Sequence, residues 1–152
     1  MEFKLKIKKM SPLVGQKVPL PSYATPGSAG LDLRACLEHP LTLYPGAIAK
    51  VPTGLAIEMP SKFMVGLVCA RSGLASKHGI NLINGVGIID SDYTGEIICP
   101  VYNSGTEAYT IKPGERIAQI LFLPLAVAQI KVVEELHHTD RGAKGFGSTG
   151  TN

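Results

Sequence analysis

The chain has no tryptophan, 6% aromatic residues and three cysteines among 152 positions. Scarce aromatics argue against a nucleic-acid binder, which stacks bases on aromatic side chains interleaved with a basic stripe. A net charge of +3 is too mild for such a stripe, so no nucleic-acid partner is expected, although a small polyanion remains compatible. Cys36, Cys69 and Cys99 are far apart, outside any C-x-x-C pattern and set among apolar residues. That pattern argues for buried free thiols and against a disulfide framework or a thiolate zinc site. His137 and His138 are adjacent and lack the H-E-x-x-H spacing of a helical zinc site. No apolar run reaches the length of a membrane span, and Lys4, Lys6, Lys8 and Lys9 are not followed by the apolar stretch of a signal peptide. The expectation is a soluble intracellular protein without a membrane partner: cytoplasmic, or nuclear or organellar in a eukaryote.

What is present is a chain of one-domain length with 45% hydrophobic residues, enough to bury a core. Its 17 glycines and 11 prolines leave little room for long helices. Short β-like runs fall at 3–8, 31–35, 47–51, 55–58, 63–69, 80–84, 96–102, 109–112, 116–123 and 128–133, with Gly, Pro and Asn turn signals between them. Such punctuation predicts an all-β fold, a single-domain β-sandwich or distorted barrel. In the first run, lysines alternate with Phe3, Leu5 and Ile7, predicting one buried and one solvated face. One helical turn is expected from Ser72 to His78, with Ser72 as its N-cap and free backbone N–H groups near Arg71 as an anion site. After Leu136 the apolar pattern stops. Residues 1–136 are therefore read as the β core and 137–152 as a mobile tail that closes as a lid. The tail nearly mimics a P-loop, but the Lys after the second Gly is missing and no helix can follow.

The most informative segment runs from Asn84 to Glu96, NGVGIIDSDYTGE. It sets Asp90, Asp92 and Tyr93 at a Gly-flanked hairpin directly after Ile88 and Ile89, where a charge is expected to lose part of its hydration. Four other segments stand beside it: Ala29 to Ala35 (AGLDLRA), Arg71 to Ala75 (RSGLA), Gly114 to Ile120 (GERIAQI) and Arg141 to Gly150 (RGAKGFGSTG). Each alone is weak. Together, and in this order, they resemble the five motifs of the dUTPase (deoxyuridine triphosphate nucleotidohydrolase) family, from about Ala29 to Gly150.

That resemblance implies a jelly-roll-like dUTPase fold and hydrolysis of dUTP to dUMP and pyrophosphate with Mg²⁺. It implies Asp90 as general base, a choice over Asp92 that periodicity cannot make. An aspartate is a weak base, so its gain comes from holding and polarising the water. Arg71, Ser72, Gly73 and Gln119 are implied on the phosphate chain, and Asp32 near metal-bound waters as an indirect metal ligand. Arg71 could instead pair structurally with Asp32, and Arg116 is expected at an interface or in an ion pair. Asn84, Gly87 and the hairpin backbone would read uracil, and Tyr93 would pack on the deoxyribose. In the tail, Phe146 would stack on uracil, while Arg141, Gly147, Ser148 and Thr149 would meet the phosphates. The family's lid comes from a neighbouring subunit, which implies a homotrimer with shared sites. Ala70, Val86, Thr94 and Lys144 depart from common family residues without removing a group that the chemistry needs. Two rivals stay open: a dCTP deaminase on the same fold, and a noncatalytic nucleotide sensor or interaction module.

Overall fold

The computed structural model describes residues 2–143 and residue 145. Strands β1 (Lys6–Lys9), β2 (Leu31–Arg34), β3 (Leu41–Leu43), β4 (Ile48–Pro52), β5 (Leu55–Glu58) and β6 (Met64–Ala70) precede a single helix, α1 (Ser72–His78). Strands β7 (Ile80–Leu82), β8 (Val86–Ile89), β9 (Ile98–Asn103), β10 (Tyr109–Ile111) and β11 (Arg116–Pro124) follow it. The fold is all-β, as the turn spacing predicts. A four-stranded antiparallel sheet has the order β2-β11-β6-β8 and a three-stranded sheet the order β4-β9-β7, with β1-β5 and β10-β3 as two-stranded pairs. All four sheets supply one shared core. Leu33, Val68 and Ile120 enter it from the largest sheet, Val51, Leu82 and Val101 from the second, and Leu43, Ile57 and Ile111 from the pairs. Burying one such side chain contributes about 1.5–3 kcal/mol, so this cluster supplies the main driving force.

Two local devices shape the region that matters for function. The β2–β11 register slips between Arg116 and Ala118, so that two steps on β11 oppose one on β2. This bulge leaves Ile117 and Ala118 both buried and reverses the alternation of faces beyond it. The second device is the end of α1. Gly79 there adopts φ +68°, and a Cβ on it would lie 2.4 Å from the backbone nitrogen of Gly105. Only glycine meets both demands.

Several expectations need correction. Arg71, not Ser72, occupies the N-cap of α1, and no side chain caps it; Ser72 is already helical. Strand β1 begins at Lys6 and is exposed along its whole length, with Ile7 38% exposed, because no layer of this protomer covers its second face. Phe3 instead meets Phe122 edge-to-face at 5.4 Å between ring centroids. Residues 128–133 form no strand: their alternating apolar residues find no sheet edge to join, leaving Ile130 and Val132 exposed. Strand β3 was not expected. Of the thiols, Cys36 and Cys99 are buried and Cys69 is half-buried; burial pushes the Cys99 thiol up to about 12, which makes it inert. No helix among the described residues is long and apolar enough to cross a membrane.

Candidate active site

Strands β2, β11 and β6 lie side by side, and their register sets Asp32 opposite Gln119 and Gln119 opposite Cys69. Residues three apart on a regular strand face opposite sides. The bulge removes that constraint, so Arg116 and Gln119 both reach the outer face where Asp32 stands. Asp32 is buried and ion-paired with two arginines: Arg71 Nε lies 3.3 Å from Oδ1, and Arg116 Nη1 donates to Oδ2 at 3.1 Å. The loop closes where Arg71 Nη1 donates to the Arg116 carbonyl at 3.2 Å. Gln119 Nε2 donates to the Ala70 carbonyl at 3.3 Å, and Gly30 makes room for that side chain, since a Cβ there would come within 2.8 Å of Gln119 Oε1.

Arg34 stands opposite Arg116 in the register, donating from Nη1 to the Gly114 carbonyl at 2.9 Å. Its Nε is buried without a hydrogen-bond partner among the described residues. The nearby Glu115 carboxylate is engaged elsewhere, accepting from the Tyr109 hydroxyl and, at 2.9 Å, from the Lys112 amide. Burial first, then Glu115, push the Tyr109 hydroxyl up to about 12 against the opposing pull of Arg71, so it stays a neutral donor. Two guanidinium groups thus share the Asp32 carboxylate, with that of Arg34 opposite Arg116 in the register, and the excess positive charge suits a polyphosphate. Ser72 and Gly73 lie exposed beside Arg71 at the start of α1.

The hairpin is carried by β8, the edge strand of the same sheet. Val86 pairs with Cys69 and Ile89 with Gly66, so Asn84 sits toward the Arg71 end and Asp90 at the far end. Gly87 packs over Val68, and a Cβ on it would lie 3.5 Å from Asn84 Nδ2. Tyr93 folds back over Gly95 and donates its hydroxyl to the Glu96 carbonyl at 2.9 Å. Glu96 in turn accepts the Gly54 amide at 2.7 Å, tying the turn to the core. The expected dehydration of Asp90 is not found in the protomer. Asp90 is exposed and Ile88 is 67% exposed, because an edge strand has no neighbour on its open side.

One chain therefore presents two half-sites. Asp32, Arg71, Ser72, Gly73 and Gln119 form one; Asn84, Gly87, Asp90 and Tyr93 form the other. Arg71 lies five residues beyond Gly66, the partner of Ile89, and Asp90 is one step further the other way, which separates Asp90 from Arg71 by roughly 20 Å along the sheet. Arg141 lies exposed in the C-terminal segment, whereas Phe146, Gly147, Ser148 and Thr149, with Lys144, lie outside the described residues. Sequence reasoning assigned no role to Gly30, Arg34, Tyr109 or Glu115, although Gly30 and Arg34 stand in the segment 29–35 and Glu115 in 114–120.

Among the described residues no three His, Cys, Asp or Glu side chains are grouped to hold a metal, and both Asp32 oxygens are already ion-paired with guanidinium groups. These residues do not fit a protein-held metal.

The profile of the family described as dUTPase matches residues 16–150. A deoxyuridine 5'-triphosphate nucleotidohydrolase of Citrobacter koseri is 52% identical over 147 residues, 97% of each chain. Its counterpart from Photorhabdus laumondii is 50% identical with the same coverage. Among solved structures, a mutant of the Staphylococcus bacteriophage 80alpha dUTPase with dUpNHpp superposes with a TM-score of 0.84 at 27% identity, covering 97% of this chain and 98% of that one.

Proposed function

The chain belongs to the dUTPase family, and from that premise we propose that it hydrolyses dUTP to dUMP and pyrophosphate. The observation that carries this reading beyond the family match is the pairing of Arg71 and Arg116 with Asp32, beside Arg34, on the same sheet as the Asn84–Asp90 hairpin.

In this reading Asp90 orients a water and accepts its proton as the water oxygen bonds to the α-phosphorus; the bond from that phosphorus to the bridging oxygen breaks, and pyrophosphate leaves. Arg71, the start of α1 at Ser72 and Gly73, and the Gln119 amide take the phosphate chain. Asn84 and the Gly87 backbone read the uracil edge, where fixed donors and acceptors leave the wrong base unpaired. Tyr93 covers the deoxyribose. Arg141, Phe146, Gly147, Ser148 and Thr149 belong to the lid formed by 137–152, closing on a neighbouring subunit's site over the β core of 1–136. Charge neutralisation on the triphosphate would come from Mg²⁺ bound through phosphate oxygens and water, with no described side chain as its direct ligand. The proposed assembly is a homotrimer with shared sites. Its support is the split within one chain, together with the uncovered apolar side chains Val86 and Ile88 beside Asp90. The physiological role then is to keep uracil out of DNA and to supply dUMP for dTMP synthesis in the cytoplasm, as the bacterial relatives suggest.

Purified protein incubated with Mg²⁺ and each deoxynucleotide should release pyrophosphate from dUTP alone. Ammonia from dCTP would instead identify a deaminase, and dUTP binding without pyrophosphate a sensor. For the sugar gate, Tyr93→Ala should narrow the preference for dUTP over UTP in kcat/KM by about tenfold to a hundredfold. Tyr93→Phe keeps the ring and should keep the preference; unchanged discrimination in Tyr93→Ala removes the role.

A further inference from the structure

We infer that Arg116 and Asp32 are positioning residues that set the orientation of the Arg71 guanidinium for anion binding, with Asp32 acting through Arg71. The inference rests on the proposed role of Arg71 toward the phosphate chain.

A guanidinium carries five N–H donors in a fixed plane, so fixing two of its nitrogens fixes where the third points. Asp32 Oδ1 forms an ion pair with Arg71 Nε at 3.3 Å, and the Arg116 carbonyl accepts from Nη1 at 3.2 Å. Nη2 has no acceptor among the described residues, and the side chain is 28% exposed, which leaves the guanidinium a donor for an incoming anion. Arg116 closes the device from both ends: its carbonyl holds Arg71 directly, and its Nη1 holds the second oxygen of Asp32 at 3.1 Å. Asp32 therefore cannot rotate without breaking one of two charge-assisted contacts. The charge balance points the same way. One carboxylate between two guanidinium groups leaves a net positive pair, so Asp32 restrains Arg71 without cancelling its attraction for an anion. The arrangement depends on the β11 bulge, which brings Arg116 to the face of Asp32.

The test is calorimetric titration of inorganic pyrophosphate in EDTA, where no metal contributes. The panel is Arg71→Ala, Asp32→Asn, Arg116→Ala and the Arg71→Ala double variants, with thermal melts as folding controls. Asp32→Asn and Arg116→Ala should each weaken pyrophosphate binding by about tenfold and add less than twofold in the Arg71→Ala background, the non-additivity of residues acting through one another. Arg116→Lys keeps a cation at Oδ2 and should stay within about threefold of the parent. It also keeps the test open should Arg116→Ala fail to fold. Equal losses with and without Arg71, or parental affinity in Asp32→Asn, would overturn the inference and leave Arg71 its phosphate role. Parental affinity in Arg71→Ala would overturn that role first, and the inference with it. A shift confined to the Mg²⁺ dependence of turnover in Asp32→Asn would return Asp32 to the metal's waters and likewise refute the relay.

Discussion

Asp90→Asn should lower kcat for dUTP by about 10² to 10⁴, the range of a lost general base, while KM and the melting temperature stay near parental values. The substitution preserves shape, and Asp90 is exposed at the end of the edge strand β8, where a surface change costs within about 0.5 kcal/mol of stability. A loss of turnover therefore reports on chemistry and not on folding. An amide can still hydrogen-bond a water but cannot take its proton. Single-turnover pyrophosphate release, which separates the chemical step from binding, gives the measurement. Turnover near the parental rate would remove Asp90 from the reaction and leave Asp92 as the next candidate on the same turn.

Removing residues 139–152 should leave a folded protein whose kcat/KM falls by about a hundredfold or more, the scale on which misplacing a bound substrate slows its reaction. The described part of the deleted segment is exposed, contributes nothing to the core and carries no strand. The melting temperature should thus hold. Undiminished catalysis by the truncated protein would mean that the tail is no lid, whatever its glycines and Phe146 suggest.

Much of this architecture could be read before any coordinates. The run 55–58 is realised residue for residue as β5, because Leu55 to Ile57 are buried and Gly54 and Pro60 bracket the strand. The run 80–84 stops early, at Leu82, because Gly85 at φ +71° donates to the Leu82 carbonyl at 3.0 Å and turns the chain. The helix at 72–78 was visible from its flanks, and its cap was misplaced by one residue because the extended backbone of Arg71 suffices without a side-chain oxygen. The run 128–133 shows where local pattern stops being informative. Its alternation is real, but a strand exists only where another edge accepts it, and none among the described residues does.

The candidate site divides in the same way. The sequence determined the inventory, the scaffold through its turn spacing and the site through its resemblance to the five motifs: a carboxylate on a Gly-flanked hairpin, a basic residue ahead of a short helix and an amide on the last strand, on an all-β fold. Tertiary structure alone decided the company they keep. The bulge turned Arg116 and Gln119 to one face, Asp32 became the partner of two arginines, and the edge position of β8 left Asp90 in water, away from Arg71. The physical reason is the reach of each rule. Alternation along a strand fixes which side a residue faces only while the ladder is regular, whereas register slips, neighbouring strands and open edges arise between segments distant in the chain.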